Sequence, residues 1–167
     1  MSAADPVIVY LGLGSNIGKR AVALQTACDR IDALPGTRLV RLSPVYETDP
    51  WGYLAQDAFL NAVAELRTLL PAAALFQNVK EIERGMGRTP SERNHPRVID
   101  IDMLLYGDLI LDDPELRIPH PGIAGRRFVL QPLCDLAPDL EHPVLRVPMR
   151  ALLERCDDAG AVRRFHR

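Results

Sequence analysis

The chain has 167 residues, of which 47% are hydrophobic and 25% charged, and its formal net charge is −2. These values are ordinary for a soluble globular protein and predict one domain, residues 1–167, with room for a sizeable core. The balanced charge gives no electrostatic reason to expect nucleic acid or an anionic membrane as a partner. The three cysteines, Cys28, Cys134 and Cys156, lack metal-type spacing and indicate core packing in a reducing compartment. No secretory signal or membrane-spanning run is visible, so we expect a cytoplasmic protein.

The first predicted elements are a strand and a helix. Residues 7–13 would be apolar on both faces of a strand, which predicts a central position in a sheet. The glycines that follow do not match a nucleotide-binding loop, because Leu13 and Ile17 occupy positions where such loops need glycine. We therefore predict a tight turn, with Ser15 or Asn16 capping a helix that ends near Pro35. The apolar stripe of that helix is formed by Ala21, Leu24, Cys28 and Ile31.

Two further strands are predicted next. Residues 37–46 form the second strand, with Pro44 marking an edge or a bulge near its end. The loop that follows contains Trp51, which is equally a pocket wall or a staple for the loop. Residues 58–68 alternate as a third strand, so that Phe59 and Asn61 share the face opposite to the core. An aromatic ring beside an amide suits a flat heterocycle, although a sheet face covered by loops gives the same pattern.

The second helix begins at Pro71, buries a stripe at residues 72, 75, 79 and 82, and ends at residues 85–87. Residues 97–106 then predict a buried strand, and residues 109–111 a short one. Beyond them, two prolines fix the backbone around His120. A helix is predicted to start near Arg126 and to be interrupted or reshaped by Pro132. Residues 148–155 form a last predicted helix. The basic residues 163–167 predict a frayed tail. This order is typical of an α+β fold, a ferredoxin-like α/β sandwich with a central, mainly antiparallel sheet and helices packed on it.

Two carboxylates interrupt the strand at residues 97–106. Asp100 and Asp102 stand at positions i and i+2, so they project from the same face. Two like charges on an apolar strand are unfavourable unless a positive group lies between them, and Mg²⁺ is commonly held by such carboxylates together with phosphates. Arg88, Arg93 and Arg97 lie close before the pair and would balance a polyphosphate. A solvated acidic face and a solvated basic loop are the simpler alternatives.

Several stretches together resemble the 6-hydroxymethyl-7,8-dihydropterin pyrophosphokinase family of folate biosynthesis. The most specific are Pro-Arg-Val-Ile-Asp-Ile-Asp at residues 96–102 and Ile-Pro-His-Pro at 118–121, followed by Arg126 and Phe128. Residues 14–16, 46–52 and 59–61 extend the resemblance over nearly the whole chain. The resemblance implies an ATP- and Mg²⁺-dependent enzyme that transfers the terminal diphosphate of ATP to the hydroxymethyl group of the reduced pterin and releases AMP. It also implies that residues 1–167 are a single pyrophosphokinase domain, expected to act as a monomer.

The resemblance also implies a role for each matching residue. Asp100 and Asp102 would hold two Mg²⁺ ions bound with ATP, and with Arg88 and Arg97 they would be the catalytic residues. The residues implied along the nucleotide and its phosphates are Glu83, Arg88, Arg97, His120 and Arg126. The residues implied in the pterin pocket are Thr48, Pro50, Trp51, Phe59, Asn61 and Phe128, with the last stacking on the ring.

The sequence departs from the family pattern at a few positions. Asn94 and His95 stand where the family often has Trp-Gly, on a loop at residues 84–97 that we expect to close over ATP. Lys80 stands where some members have glutamine, and Val98 where threonine is common.

Two other functions remain open from the residues alone. One is a metal-dependent nucleotide-sugar transferase that uses the Asp-x-Asp pair, and the other is a non-catalytic binding module on the same fold. Release of AMP from ATP distinguishes the predicted enzyme from the first, and Mg²⁺-dependent binding distinguishes it from the second.

Overall fold

The computed structural model describes residues 4–52, 54–87 and 96–166. Within these ranges, no helix has both the length and the apolar character needed to cross a membrane. The elements follow in the order β1 (Val7–Ser15), α1 (Arg20–Asp32), β2 (Thr37–Leu42), β3 (Tyr46–Thr48), β4 (Phe59–Thr68), α2 (Ala72–Gly85), β5 (Asp100–Tyr106), β6 (Leu111–Asp112), β7 (Arg117–Ile118), α3 (Arg127–Leu136), α4 (Met149–Arg155) and β8 (Val162–Arg164).

One six-stranded sheet organises the chain. Its order is β5-β1-β4-β3-β8, and β2 pairs with β4 beside β3. Every neighbouring pair in this sheet is antiparallel. The apolar run of β1 is central, as its sequence predicts. The strand–helix–strand–strand–helix–strand order and the antiparallel pairing confirm the predicted ferredoxin-like arrangement.

Both faces of the sheet are covered, which gives two apolar cores. On one face, α1 and α2 pack against β1, β4 and β5 around residues such as Leu11, Leu66 and Ile101. On the other face, α3 and α4 cover part of the sheet around Tyr10 and Leu104. The second core spans only part of that face, and the uncovered part forms the floor of a cavity.

The predicted strand at residues 37–46 is in fact two strands. Ser43 and Pro44 separate β2 from β3, and the Ser43 hydroxyl accepts a hydrogen bond from the backbone N–H of Val63 at 2.9 Å. Proline has no N–H to offer a ladder, so the chain leaves the sheet here and returns at Tyr46. The return places β3 against the first residues of β4, with Thr48 opposite Phe59.

Two other local predictions were wrong. Neither Ser15 nor Asn16 caps α1, because β1 continues through Ser15 and α1 begins only at Arg20. Arg163 and Arg164 are not part of a frayed tail, since they belong to β8, which pairs with β3; Arg167 lies outside the described residues.

Pro132 does not interrupt α3. It lies in the second turn of the helix, where it removes only the one hydrogen bond that its own N–H would have made.

Candidate active site

A cavity of about 480 Å³ opens on the sheet face that α3 and α4 leave uncovered. Its floor is formed by the C-terminal part of β1 and by β4 and β5. Its sides come from the loop after β3, the segment around His120 and the first turn of α3. Gly12 and Gly14 of β1 line the floor, and the absence of side chains there leaves space above the strand. The volume is that of a small-molecule site.

Most of the predicted site residues meet in this cavity, although they come from five separate parts of the chain. The residues that line it are Thr48, Trp51, Phe59, Asn61, Arg97, Asp100, Asp102, His120, Arg126 and Phe128. Pro50 and Glu83 do not line it. Arg88, predicted to be catalytic, lies outside the described residues, as do Arg93, Asn94, His95 and most of the loop expected to close over ATP.

The two carboxylates of β5 lie side by side on the cavity floor. Asp100 pairs across the sheet with Gly14, and Asp102 with Gly12, so both face space that glycine leaves free. Burial and the neighbouring Asp100 carboxylate raise the pKa of Asp102 well above its usual range. In the described ranges, no cluster of three or more acidic, histidine or cysteine side chains is placed to hold a metal. For a metal ion, the pair therefore supplies two oxygen-donor groups, and the remaining coordination positions are left to other ligands.

Basic groups flank the pair. The Arg97 guanidinium donates to Asp100 Oδ2 at 3.1 Å, and Lys80 reaches the cavity from α2. Glu83 fixes this arrangement from behind: its Oε1 accepts the backbone N–H of Ile101 at 2.7 Å and lies 3.2 Å from Lys80 Nζ. Glu83 is thus a buried link between α2 and β5. The sequence had marked Lys80 only as a departure from the family pattern.

Asn16 is a residue of this site that the sequence assigned to the wrong role. Its Oδ1 accepts the backbone N–H of Arg97 at 2.9 Å, and its own backbone N–H donates to the Arg97 carbonyl at 3.2 Å. Its Nδ2 donates to Gln56 Oε1 and to the Asp57 carbonyl. Asn16 therefore fixes the backbone of Arg97 at the end of β1, beside Asp100.

Aromatic side chains form the opposite wall. The Trp51 and Phe128 rings meet edge to face, with centroids 5.9 Å apart and planes at 60°. The Arg126 guanidinium carbon lies 5.4 Å from the Trp51 centroid and 5.9 Å from that of Phe128. Trp51 is therefore a cavity wall, which decides between the two roles that the sequence left open. Gly122 lets Arg126 lie close, because a Cβ there would be 2.8 Å from the guanidinium carbon.

Polar groups complete the cavity at two points. Asn61 Nδ2 donates to Thr48 Oγ1 at 2.6 Å, which joins β4 to β3. His120 Nδ1 accepts the backbone N–H of Gly122 at 2.9 Å. In the neutral ring the proton is then on Nε2, so that this nitrogen is the N–H donor of the side chain.

A second, smaller cavity of about 290 Å³ adjoins the first. The two share Lys80, Asp102, His120 and Pro121 as lining residues. The smaller cavity adds Phe76 of α2 and the side chains around β7. Asp102 consequently lies between an aromatic pocket and a second cavity, an arrangement suited to two ligands that meet at this carboxylate.

Comparisons with known proteins give a consistent result. The family model for 7,8-dihydro-6-hydroxymethylpterin-pyrophosphokinase (HPPK) matches residues 10–138. The chain is 43% identical over 155 residues to the 2-amino-4-hydroxy-6-hydroxymethyldihydropteridine pyrophosphokinase of Pseudomonas aeruginosa, and the match covers 93% of this chain and 95% of that protein. It is 42% identical over 154 residues to the protein of the same name from Methylorubrum extorquens, with 92% and 96% covered.

Longer proteins match over only part of their length. The chain is 39% identical to the folic acid synthesis protein fol1 of Schizosaccharomyces pombe, and the match covers 92% of this chain but 21% of that protein. The structure of wild-type HPPK-DHPS from Plasmodium falciparum with pteroate superposes with a TM-score of 0.73 at 17% identity, covering 93% of this chain and 43% of that one. At that identity the likeness establishes the fold.

Proposed function

The chain belongs to the 7,8-dihydro-6-hydroxymethylpterin-pyrophosphokinase family, and we propose that the carboxylate pair Asp100 and Asp102 is the centre of its catalytic site. Its activity is the transfer of diphosphate from ATP to the hydroxymethyl group of 6-hydroxymethyl-7,8-dihydropterin, with release of AMP, in folate biosynthesis. The observation that carries the proposed site is that one cavity contains the carboxylate pair, its flanking basic groups and an aromatic wall.

The donor set fits Mg²⁺. Asp100 and Asp102 offer oxygen ligands only, and Mg²⁺ is usually held by one or two carboxylates, with water and substrate phosphates completing its octahedron. Burial and the neighbouring Asp100 carboxylate raise the pKa of Asp102, and a cation between the two groups would relieve the repulsion between them. These residues would hold two Mg²⁺ ions with ATP, and the metal supplies charge neutralisation to the phosphates when bound.

The pterin lies against the aromatic wall in this proposal. Phe128 stacks on the flat ring, with Trp51 and Phe59 as the other apolar contacts. Asn61, held by its hydrogen bond to Thr48, presents an amide that can both donate to and accept from the edge of the heterocycle. Pro50 does not line the cavity, so its part is limited to shaping the loop that carries Trp51.

The phosphates of ATP lie over the carboxylate pair in this proposal. The pterin hydroxyl oxygen loses its proton to solvent and forms a bond to the β-phosphorus, and the bond from that phosphorus to the oxygen shared with the α-phosphate breaks, so that AMP leaves. Arg97, Arg126 and Lys80 offset the negative charge that develops, and the Nε2 N–H of His120 would donate to a phosphate oxygen. Glu83 acts indirectly, by fixing Lys80 and the backbone between the two aspartates.

The proposal also covers the domain organisation, oligomeric state and localisation of the protein. We expect residues 1–167 to be one domain, a monomer, and cytoplasmic. The pairing of β8 with β3 supports a single domain, because it joins the end of the chain to the sheet. Three free cysteines support a reducing compartment.

A coupled assay for AMP tests the proposal. ATP, Mg²⁺ and the reduced hydroxymethylpterin should give AMP only when all three are present. Asp100→Ala should abolish this activity, whereas Asp108→Ala, which changes an exposed aspartate in the turn after β5, should retain it. Formation of ADP in place of AMP, or equal activity of the two variants, would contradict the proposed site.

A further inference from the structure

The last part of the chain supports the cavity from outside. Residues 156–165, here called the closing segment, contain β8, which pairs with β3 so that Val162 lies opposite Thr48. The contact continues past the strand: the Asp49 N–H donates to the Ala161 carbonyl at 3.2 Å, and the Ala161 N–H donates to Asp49 Oδ2 at 2.9 Å. Thr48 and Asp49 line the cavity, and Trp51 follows two residues later. The closing segment therefore fixes the start of the loop that carries Trp51.

The same segment also holds the first turn of α3. The backbone N–H of Arg127 donates to Asp158 Oδ2 at 3.0 Å. The Arg127 guanidinium donates to the carbonyls of Asp158 at 3.1 Å and Cys156 at 2.8 Å. Arg127 stands between Arg126 and Phe128, which both line the cavity.

The Asp158 carboxylate serves α3 as a cap supplied from elsewhere in the chain. The residue before the helix, Arg126, makes no side-chain capping hydrogen bond. A carboxylate at a helix N-terminus satisfies a free N–H and interacts favourably with the helix dipole. The other oxygen of Asp158 accepts the N–H of Gly160 at 2.9 Å, so the side chain is fixed at both oxygens.

We propose that Asp158 is a positioning residue for the pterin site, setting the separation between Phe128 on α3 and Trp51 on the loop after β3. This inference rests on the proposed function, which makes these two rings the walls of the pterin pocket. No residue of the closing segment itself lines the cavity. Asp158 consequently acts through Arg127 and the backbone of α3.

Steady-state kinetics of Asp158→Ala test this role. We expect the KM for the pterin to rise about tenfold, equivalent to about 1.4 kcal/mol. The KM for ATP and kcat should change by less than the KM for the pterin, because β5 and α2 carry the carboxylate pair and Lys80, although Arg126 adjoins Arg127. Asp157→Ala is the matched control, since Asp157 is the exposed neighbour on the same segment. The pterin KM of Asp158→Asn, which keeps one acceptor oxygen, should lie between those of Asp158→Ala and Asp157→Ala.

Fluorescence gives a readout that does not depend on turnover. Trp51 is the only tryptophan in the chain and is 37% exposed, so acrylamide quenching reports on its loop. Quenching should be greater in Asp158→Ala than in Asp157→Ala. If wild-type protein formed no AMP, the proposed function would fail while this measurement still tested the support of the loop.

The outcomes separate positioning from general damage. A selective rise in the pterin KM with greater Trp51 quenching supports the role. Unchanged quenching, or KM values for pterin and ATP that rise together, overturns it. If Asp158→Ala does not fold in a thermal melt, Asp158→Asn replaces it under the same criteria, since it removes the carboxylate charge at the N-terminus of α3 and keeps one acceptor oxygen.

Discussion

Replacing Gly14 with alanine would test the role proposed for the Asn61 amide in binding the pterin. A Cβ at this position would lie 2.7 Å from Asn61 Oδ1, whereas carbon–oxygen contacts normally need about 3.3 Å. Gly14 is held in β1 between β4 and β5, so the backbone cannot retreat and the Asn61 side chain must rotate away. That rotation breaks its 2.6 Å hydrogen bond to Thr48 and would remove the contact proposed between its amide and the pterin.

The expected magnitude follows from those lost contacts. One or two hydrogen bonds with buried partners correspond to about 1.5–3 kcal/mol, or roughly a ten- to hundredfold rise in the pterin KM. The KM for ATP should change by less than about threefold, because the change leaves the carboxylate pair in place. The AMP-release assay with each substrate varied in turn measures both constants.

Gly12→Ala is the matched comparison. Gly12 lies two residues earlier on the same face, and a Cβ there would meet Leu104 at an ordinary 3.6 Å. Both variants add one methyl group to the same cavity floor, so their difference isolates the displacement of Asn61. Equal pterin KM values for the two variants would refute the reasoning.

Three other changes have defined outcomes. Asp100→Ala or Asp102→Ala should lower kcat by several orders of magnitude in a protein with a normal thermal melt, and activity within tenfold of wild type would remove that residue from the proposed metal site. Phe128→Ala should weaken pterin binding and leave the KM for ATP nearly unchanged, and an unaltered pterin affinity would rule out stacking on that ring. Burial lowers the pKa of His142, whose Nδ1 accepts hydrogen bonds from two backbone N–H groups. The His142 imidazole is therefore protonated more readily in the unfolded chain than in the folded one. The neutral His142 side chain contributes fully to the free energy of unfolding above its unfolded pKa of about 6.5, and this contribution is lost as the pH falls below that value. In urea titrations between pH 7 and 5, His142→Gln should therefore show a smaller decrease in stability than wild type, and identical slopes would contradict this.

The parts of the fold that sequence predicted well are those set by local periodicity. The apolar stripes of α1 and α2 follow from 3.6-residue spacing, and the shared face of Asp100 and Asp102 follows from the alternation of a strand. Both depend on neighbours within a few positions, so the chain alone contains the information.

The parts that sequence missed depend on partners far along the chain. Asn16 looked like a local helix cap, but its side chain bonds residues 40, 41 and 81 positions away. The strand β8 is short and basic, and it forms only because the edge of β3 is open to it. The resemblance implies that Glu83 lies along the nucleotide, but the sequence does not reveal that its carboxylate accepts the backbone N–H of Ile101. None of these pairings leaves a periodic signal.

The spacing of Trp51 and Phe128 has a consequence for how the pocket fills. A flat heterocycle sandwiched between two rings needs about 3.5 Å on either side, and so centroids about 7 Å apart. The present 5.9 Å, edge to face and with Arg126 against both rings, is too narrow for such an intercalated guest. A pterin in the proposed site therefore stacks on Phe128 alone, while Trp51 bounds the pocket from the side. The contact between the two rings keeps that wall in place without any opening of the loop, and inhibitors designed for the site need a single stacking face.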